Sequence, residues 1–209
     1  MRVVGVDGTR GGWVAIVLED GRFACDLLVD RVESTFEELG PADAIGIDVP
    51  IGFGTRAADA AARAFLRGSA SSVFAIPSRD VLAQPFRAGL GVSAQAHALG
   101  PRIVHVTARA AADARLYEVH PEVSFRAMNG GLALRHRKKC AGGALERVAL
   151  LRGHGIKLDE LRATALVPLD DVLDAGAAAW SAARIAAGEA RSLPDPPERV
   201  DGREIAIWY

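Results

Sequence analysis

Three apolar runs follow one another at the start of the chain, separated by turns too tight for anything but antiparallel neighbours. Arg2 to Asp7, Trp13 to Leu18 and Arg22 to Val29 are joined through Gly11-Gly12 and Asp20-Gly21. Short β-branched runs bounded by such turns read as the strands of a meander. The pattern then changes. A short helix is expected at 33–39, capped by Ser34 or the residue before it. Residues 43–49 form a continuous apolar run, as in a strand covered on both faces, and Pro50 ends it. A helix starts at Thr55 and runs to Gly68, a Ser-rich loop follows, and short helices fill 79–112. Residues 115–119 read as another strand. Pro121 opens a helix, as proline does at a first helical position. Further helices are expected at 140–154 and 169–187, and 204–208 reads as a terminal edge strand. A meander followed by strands alternating with helices is an α/β mixed sheet with one antiparallel side, flanked by helices. The reading is one domain over 1–209 with a helical insertion at about 55–112.

Composition excludes several classes. Hydrophobic residues make up 50% of the chain and charged residues 24%, values of a globular rather than a disordered protein. The net charge of −1 gives no global attraction to nucleic acid, so any such contact needs a local basic patch. Cys25 and Cys140 have no metal-type spacing, and a reducing, cytoplasmic setting with two free thiols is expected. The first apolar run is too short for a signal peptide and is interrupted by Asp7. No apolar stretch approaches the roughly 18 residues that span a membrane, so no membrane association is expected.

Acidic residues stand where these elements end. Asp7 closes the first strand, Asp48 closes Ile45-Gly46-Ile47, and Glu118 lies in Leu116-Tyr117-Glu118-Val119-His120-Pro121-Glu122. Asp171 and Asp174 open the last helix, three residues apart and hence on one face. A carboxylate at the end of an apolar strand is costly to bury unless it binds something cationic. Several converging on one sheet edge would suit hard divalent cations. Each also has a plainer reading. Asp7-Gly8 is ordinary turn chemistry, Asp48 could cap the next loop, and acids favour helix N-termini in any case. What distinguishes the last helix is Ala175, Ala178, Ala179 and Ala182, whose small side chains permit close packing on the sheet.

Strand alternation puts Glu118 and His120 on one face. His120 could serve as acid or base, or as a partner to a ligand, but capping the helix at Pro121 is the better reading. Glu122 reads as a helix-dipole partner. Arg135-His136-Arg137-Lys138-Lys139 is the one dense cationic run; Lys138 and Lys139 could hold phosphate, or the run could be a solvated loop. Arg79 and Arg56 are further candidates for phosphate contacts. Zinc is disfavoured, because no Cys/His cluster has ligand spacing.

The order of elements matches the ribonuclease H-like fold, and particular strings carry a closer likeness. They are Gly5-Val6-Asp7-Gly8 with Gly12-Trp13, Ile47-Asp48-Val49-Pro50-Ile51-Gly52, Ser72-Val73-Phe74 with Pro77-Ser78-Arg79, Glu118-Val119-His120-Pro121-Glu122-Val123-Ser124-Phe125, Asp171-Val172-Leu173-Asp174-Ala175, and Ile205-Ala206-Ile207-Trp208-Tyr209. With these the chain resembles the family known as domain of unknown function 429, described as predicted nucleases with a ribonuclease H-like fold. The Asp-x-x-Asp-Ala element also resembles the equivalent helix of Holliday-junction resolvases. The resemblance implies Asp7, Asp48, Asp171 and Asp174 as ligands of two Mg²⁺ or Mn²⁺ ions. It gives Glu118 no firm counterpart, although Glu118 is kept among the candidate catalytic acids. Asp48 stands where those enzymes usually carry Glu.

The expectation is a metal-dependent nuclease acting on a nucleic acid by a two-metal-ion mechanism. Lys138, Lys139, Arg79 and His120 would meet the substrate. One rival is an actin-like sugar kinase or ATPase, since Asp7-Gly8-Thr9 resembles the first phosphate loop of those proteins. They use two related domains, and no second such loop is visible here. Another rival is a binding module that kept the fold without catalysis. The oligomeric state stays open, a homodimer included.

Overall fold

A computed structural model describes residues 1–29, 35–200 and 202–209. The meander forms as expected: β1 (Arg2–Thr9), β2 (Gly12–Glu19) and β3 (Arg22–Val29) pair antiparallel in sequence. The short helix α1 (Thr35–Glu38) leads into β4 (Ala44–Ile47), which pairs parallel with β1, and β5 (Leu116–Glu118) pairs parallel with β4. The proposed Ser34 cap lies outside the described residues. The sheet order is β3-β2-β1-β4-β5. An antiparallel meander whose first strand is also the parallel partner of the fourth is the ribonuclease H-like arrangement.

Between β4 and β5 the chain is helical: α2 (Ala57–Leu66), a 3₁₀ segment (Arg67–Ser72), α3 (Arg79–Leu82), α4 (Ala94–Ala98) and α5 (Gly100–Ala112). After β5 come α6 (Pro121–Met128), α7 (Ala141–Gly153) and α8 (Leu169–Ala186). The C-terminal edge strand is half of a separate hairpin, β6 (Ser192–Val200) with β7 (Arg203–Trp208), tied to the main sheet by one bridge between Val119 and Trp208. Sequence reading passed over β6 because it holds Pro194, Pro196 and Pro197, which a central strand excludes and an irregular edge tolerates. Its pairing with β7 is indeed interrupted between Leu193 and Glu198.

Strand alternation sorts the core into two layers. Val4, Val6, Ile45, Ile47 and Leu116 pack on Ile103, Val106 and Ala110 of α5. Val3, Val14, Ile16 and Ala44 face the other way, onto Ala175, Ala179 and Ala182 of α8 and Phe125 of α6. Two glycines set how close α8 lies. A Cβ on Gly5 would stand 2.0 Å from Ala179 N and 2.2 Å from Ala175 O, and one on Gly46 would stand 2.6 Å from Ala178 O. The helix therefore rests its backbone on β1 and β4, which only glycine in the strands and alanine in the helix allow. Among the described residues no helix is long and apolar enough to cross a membrane.

Candidate functional site

The same parity that places Gly5 and Gly46 under α8 places the acids. Asp7 follows Gly5 by two positions on β1, and Asp48 follows Gly46 by two just beyond β4, so both carboxylates lie on the α8 side. The Asp48 amide donates to Val6 O at 2.9 Å, which holds the two strand ends level. Asp174, in the second turn of α8, arrives from above. Asp7, Asp48 and Asp174 each offer an oxygen within 4.8 Å of the others. Asp7 is 7% exposed and Asp174 2%. Among the described residues, Asp7 accepts one hydrogen bond, a local one from Gly8 N to Oδ1 at 2.7 Å. Asp174 Oδ2 accepts from Lys138 Nζ at 2.7 Å, while its Oδ1 is buried with no partner among the described residues.

The electrostatics follow from that crowding. Burial, then the charges of Asp48, Asp174 and Asp171, hold the Asp7 carboxyl well above the usual carboxylate range. Burial pushes Asp48 to about 7 against the pull of Lys138, with Glu118 and Glu122 adding to the rise. Asp174 is likewise pushed to about 7 by burial, opposed by Lys138 and reinforced by Asp48. Lys138 is driven the other way. Burial lowers its pKa, but the attraction and hydrogen bond of Asp174 raise it further than burial lowers it, so it stays charged.

Three of the five candidate acids therefore converge. Asp171 stays at the rim, half-buried, its pKa raised by burial and held back by a hydrogen bond from the Thr9 hydroxyl. Glu118 turns to the opposite face. It pairs with Ile47, follows Leu116 by two, and lies on the α5 side. There Arg56 Nη1 and Nη2 donate to its two oxygens at 2.5 and 2.8 Å, and Ile51 N adds a third bond at 2.7 Å. Arg56 also binds Asp59, through Nη2 at 2.5 Å and Nε at 3.2 Å. Arg56 is thus committed inside the fold and is not free for phosphate. Glu122 is more than a dipole partner, since it accepts from the buried Arg147 at 2.6 Å.

His120 precedes α6, yet its side chain makes no cap. Nε2 lies 3.3 Å from Ser72 O, while Nδ1 is buried with no partner among the described residues. Burial lowers its pKa, against the Ser72 carbonyl and the charges of Glu122 and Asp174, so the ring favours the neutral form. Arg79 is exposed, with its guanidinium 4.2 Å over the Phe53 ring, and Lys139 is exposed beside the cluster.

Sequence reading missed Arg102 on α5. Its Nη2 donates to Thr9 O at 2.6 Å and Gly12 O at 2.9 Å, and its guanidinium lies 4.8 Å from the Trp13 ring centre. It pins the turn after Asp7. The available hint was Gly8, whose missing Cβ leaves the space that Arg102 Nη1 fills.

The sheet order, with Asp7 and Asp48 toward the C-terminal ends of its central strands and Asp174 over them, defines a ribonuclease H-like fold with a three-carboxylate cluster. The chain belongs to the family described as protein of unknown function (DUF429), whose profile matches residues 5–199. No curated protein is a match for the chain. Among solved structures, RuvC of Thermus thermophilus is similar at 16% identity, over 90% of this chain and 98% of that one, with a TM-score of 0.43.

Proposed function

We propose that the protein is a nuclease that hydrolyses phosphodiester bonds of a nucleic acid with Mg²⁺ or Mn²⁺ held by Asp7, Asp48 and Asp174. The observation that carries this reading is Asp174 Oδ1. A carboxylate oxygen buried without a partner, facing two further carboxylates, is a costly arrangement with only one ammonium to offset it. An all-oxygen donor set fits a hard divalent cation and not zinc. Such a cation would supply the positive charge that stabilises charge developing on phosphate oxygens.

The chain's own residues add the remaining parts. Asp171, at the rim, adds its charge to the field at Asp7. His120, with a neutral ring and a free Nδ1, is suited to accept or donate one proton. Lys139 and Arg79 are exposed cations suited to hold flanking phosphates. Asp7→Asn should abolish Mn²⁺ binding in calorimetry and cleavage of single- and double-stranded DNA and RNA, with the circular dichroism spectrum unchanged. Retained binding would remove Asp7 from the site.

A further inference from the structure

Lys138 differs from its neighbours in the basic run. Lys139 is exposed and has no ion-pair partner among the described residues, whereas Lys138 reaches into the cluster and pairs with Asp174 at 2.7 Å. The loop around it is built to deliver that contact. Glu146 on α7 accepts from the amides of Arg135 at 3.0 Å and His136 at 3.2 Å. Cys140 donates its thiol to Arg137 O at 3.1 Å and takes the Gly143 amide at 3.4 Å. Gly143 has no room for a side chain, since a Cβ there would lie 2.0 Å from Arg137 O and 3.2 Å from Lys138 Cα. The backbone on either side of Lys138 is thus pressed against the first turn of α7.

The tip of this side chain is held less firmly than its base. The Lys138 side chain is 39% exposed, and among the described residues its ammonium has one carboxylate partner, through Asp174 Oδ2. That oxygen belongs to the donor set a divalent cation would use. An ammonium and a divalent cation at the same carboxylates repel each other strongly when partly shielded from water. We propose that Lys138 is the resident counter-ion of the acid cluster, that a divalent cation must displace it, and that the displaced ammonium then takes a phosphate oxygen of the substrate. The inference rests on the metal-binding reading above and adds an order to it. Without the cation, Lys138 keeps the cluster neutral enough to fold. With the cation, the four-carbon stem swings outward over a fixed loop, and an incoming phosphate is the opposite charge within reach. Cation loading and substrate capture are thereby coupled through one side chain.

The test uses the full chain and Mn²⁺ or Mg²⁺ alone. By calorimetry, Lys138→Met and Lys138→Gln should each bind Mn²⁺ roughly tenfold more tightly than the wild type. Lys139→Met, which removes the same charge from an exposed position, should change affinity by no more than about twofold. Amine-selective acylation read by mass spectrometry reports displacement directly. Lys138 should be modified more slowly than Lys139 in chelator and should approach its rate at saturating Mg²⁺. If the wild type binds Mn²⁺ but the Lys138 variants bind no more tightly than Lys139→Met, the inference fails and the metal site stands. It fails in the same way if Mg²⁺ leaves Lys138 labelling unchanged. If neither wild type nor Lys138→Met binds Mn²⁺, or Asp7→Asn binds as well as wild type, the metal reading itself is lost.

Discussion

Two clusters of acids, buried but for half-buried Asp48, stand at neighbouring strand ends, on opposite faces of one sheet, and they are satisfied to different degrees. On the α5 side, Glu118 and Asp59 share Arg56, and every contact is a charge-assisted hydrogen bond between groups that are all buried. On the α8 side, Asp7, Asp48 and Asp174 share Lys138, which is partly exposed and touches one of them. The first cluster is complete and holds together the chain that leaves β4, since Arg56 also donates to Ile51 O at 2.9 Å. The second is short of positive charge. The fold satisfies buried carboxylates on one face and leaves them under-satisfied on the other, and the proposed cation site rests on that difference.

The contrast can be broken first from its satisfied side. Arg56→Met keeps an unbranched apolar stem but removes the guanidinium and leaves two carboxylates buried without a counter-ion. The expected loss is about 3–5 kcal/mol in urea unfolding. A loss below about 1 kcal/mol would mean that the triad is not what fixes this region. Gly5→Ala attacks the other face. Its Cβ would meet the backbone of Ala175 and Ala179, so α8 must lift from β1. Overpacking of this kind costs about 1–3 kcal/mol. Because Asp174 rides on α8, Mn²⁺ affinity should fall as well, while Arg56→Met should leave it largely intact. Equal effects of both changes on Mn²⁺ would dissolve the distinction between the two clusters.

Much of this is legible in the residues alone. The meander, the parallel strands and the long helices follow from period and turn chemistry. The convergence of Asp7, Asp48 and Asp174 follows from acids at strand ends under an alanine-faced helix. Glu118 is also recognisable as a strand-end acid, but its face depends on parity with Leu116, and sharing a face with His120 is not the same as sharing one with Asp48. The Arg56 pairing joins residues 62 positions apart, with no local pattern to announce it. Lys138 lies in a loop without periodicity, where sequence shows charge but not direction. Gly142-Gly143 is the trace it leaves, since two glycines in the first turn of a helix need a packing reason.

The smallest effect concerns pH, and it separates the α8-side cluster by sign from Asp113, a buried acid whose counter-ions outweigh its burial. Asp48 and Asp174 are raised to about 7 in the folded chain, while an unfolded Asp titrates near about 3.9. Between those values the folded state binds more protons than the unfolded one, so stability in chelator should fall as pH rises from about 4 to about 7. A carboxylate whose hydrogen bonds and counter-ions outweigh its burial shows the reverse. Asp113 provides that reverse within the same molecule. Its hydrogen bond to Arg115, working against burial, lowers it to about 2, so its contribution is present above about 4 and lost as pH falls toward 2. Water reaching half-buried Asp48 and the charge of Lys138 both temper the first effect, which is expected at about 1–2 kcal/mol across the window. Asp174→Asn should flatten the slope between about pH 4 and 7 and leave the acid limb unchanged. Saturating Mg²⁺ should abolish the decline in the wild type, because ionised carboxylates would then be paired. Equilibrium unfolding at a series of pH values, with and without Mg²⁺, measures all of this. A wild-type slope that is flat in chelator and indifferent to Mg²⁺ would mean that Lys138 alone satisfies the three acids, and the two faces of the sheet would no longer differ.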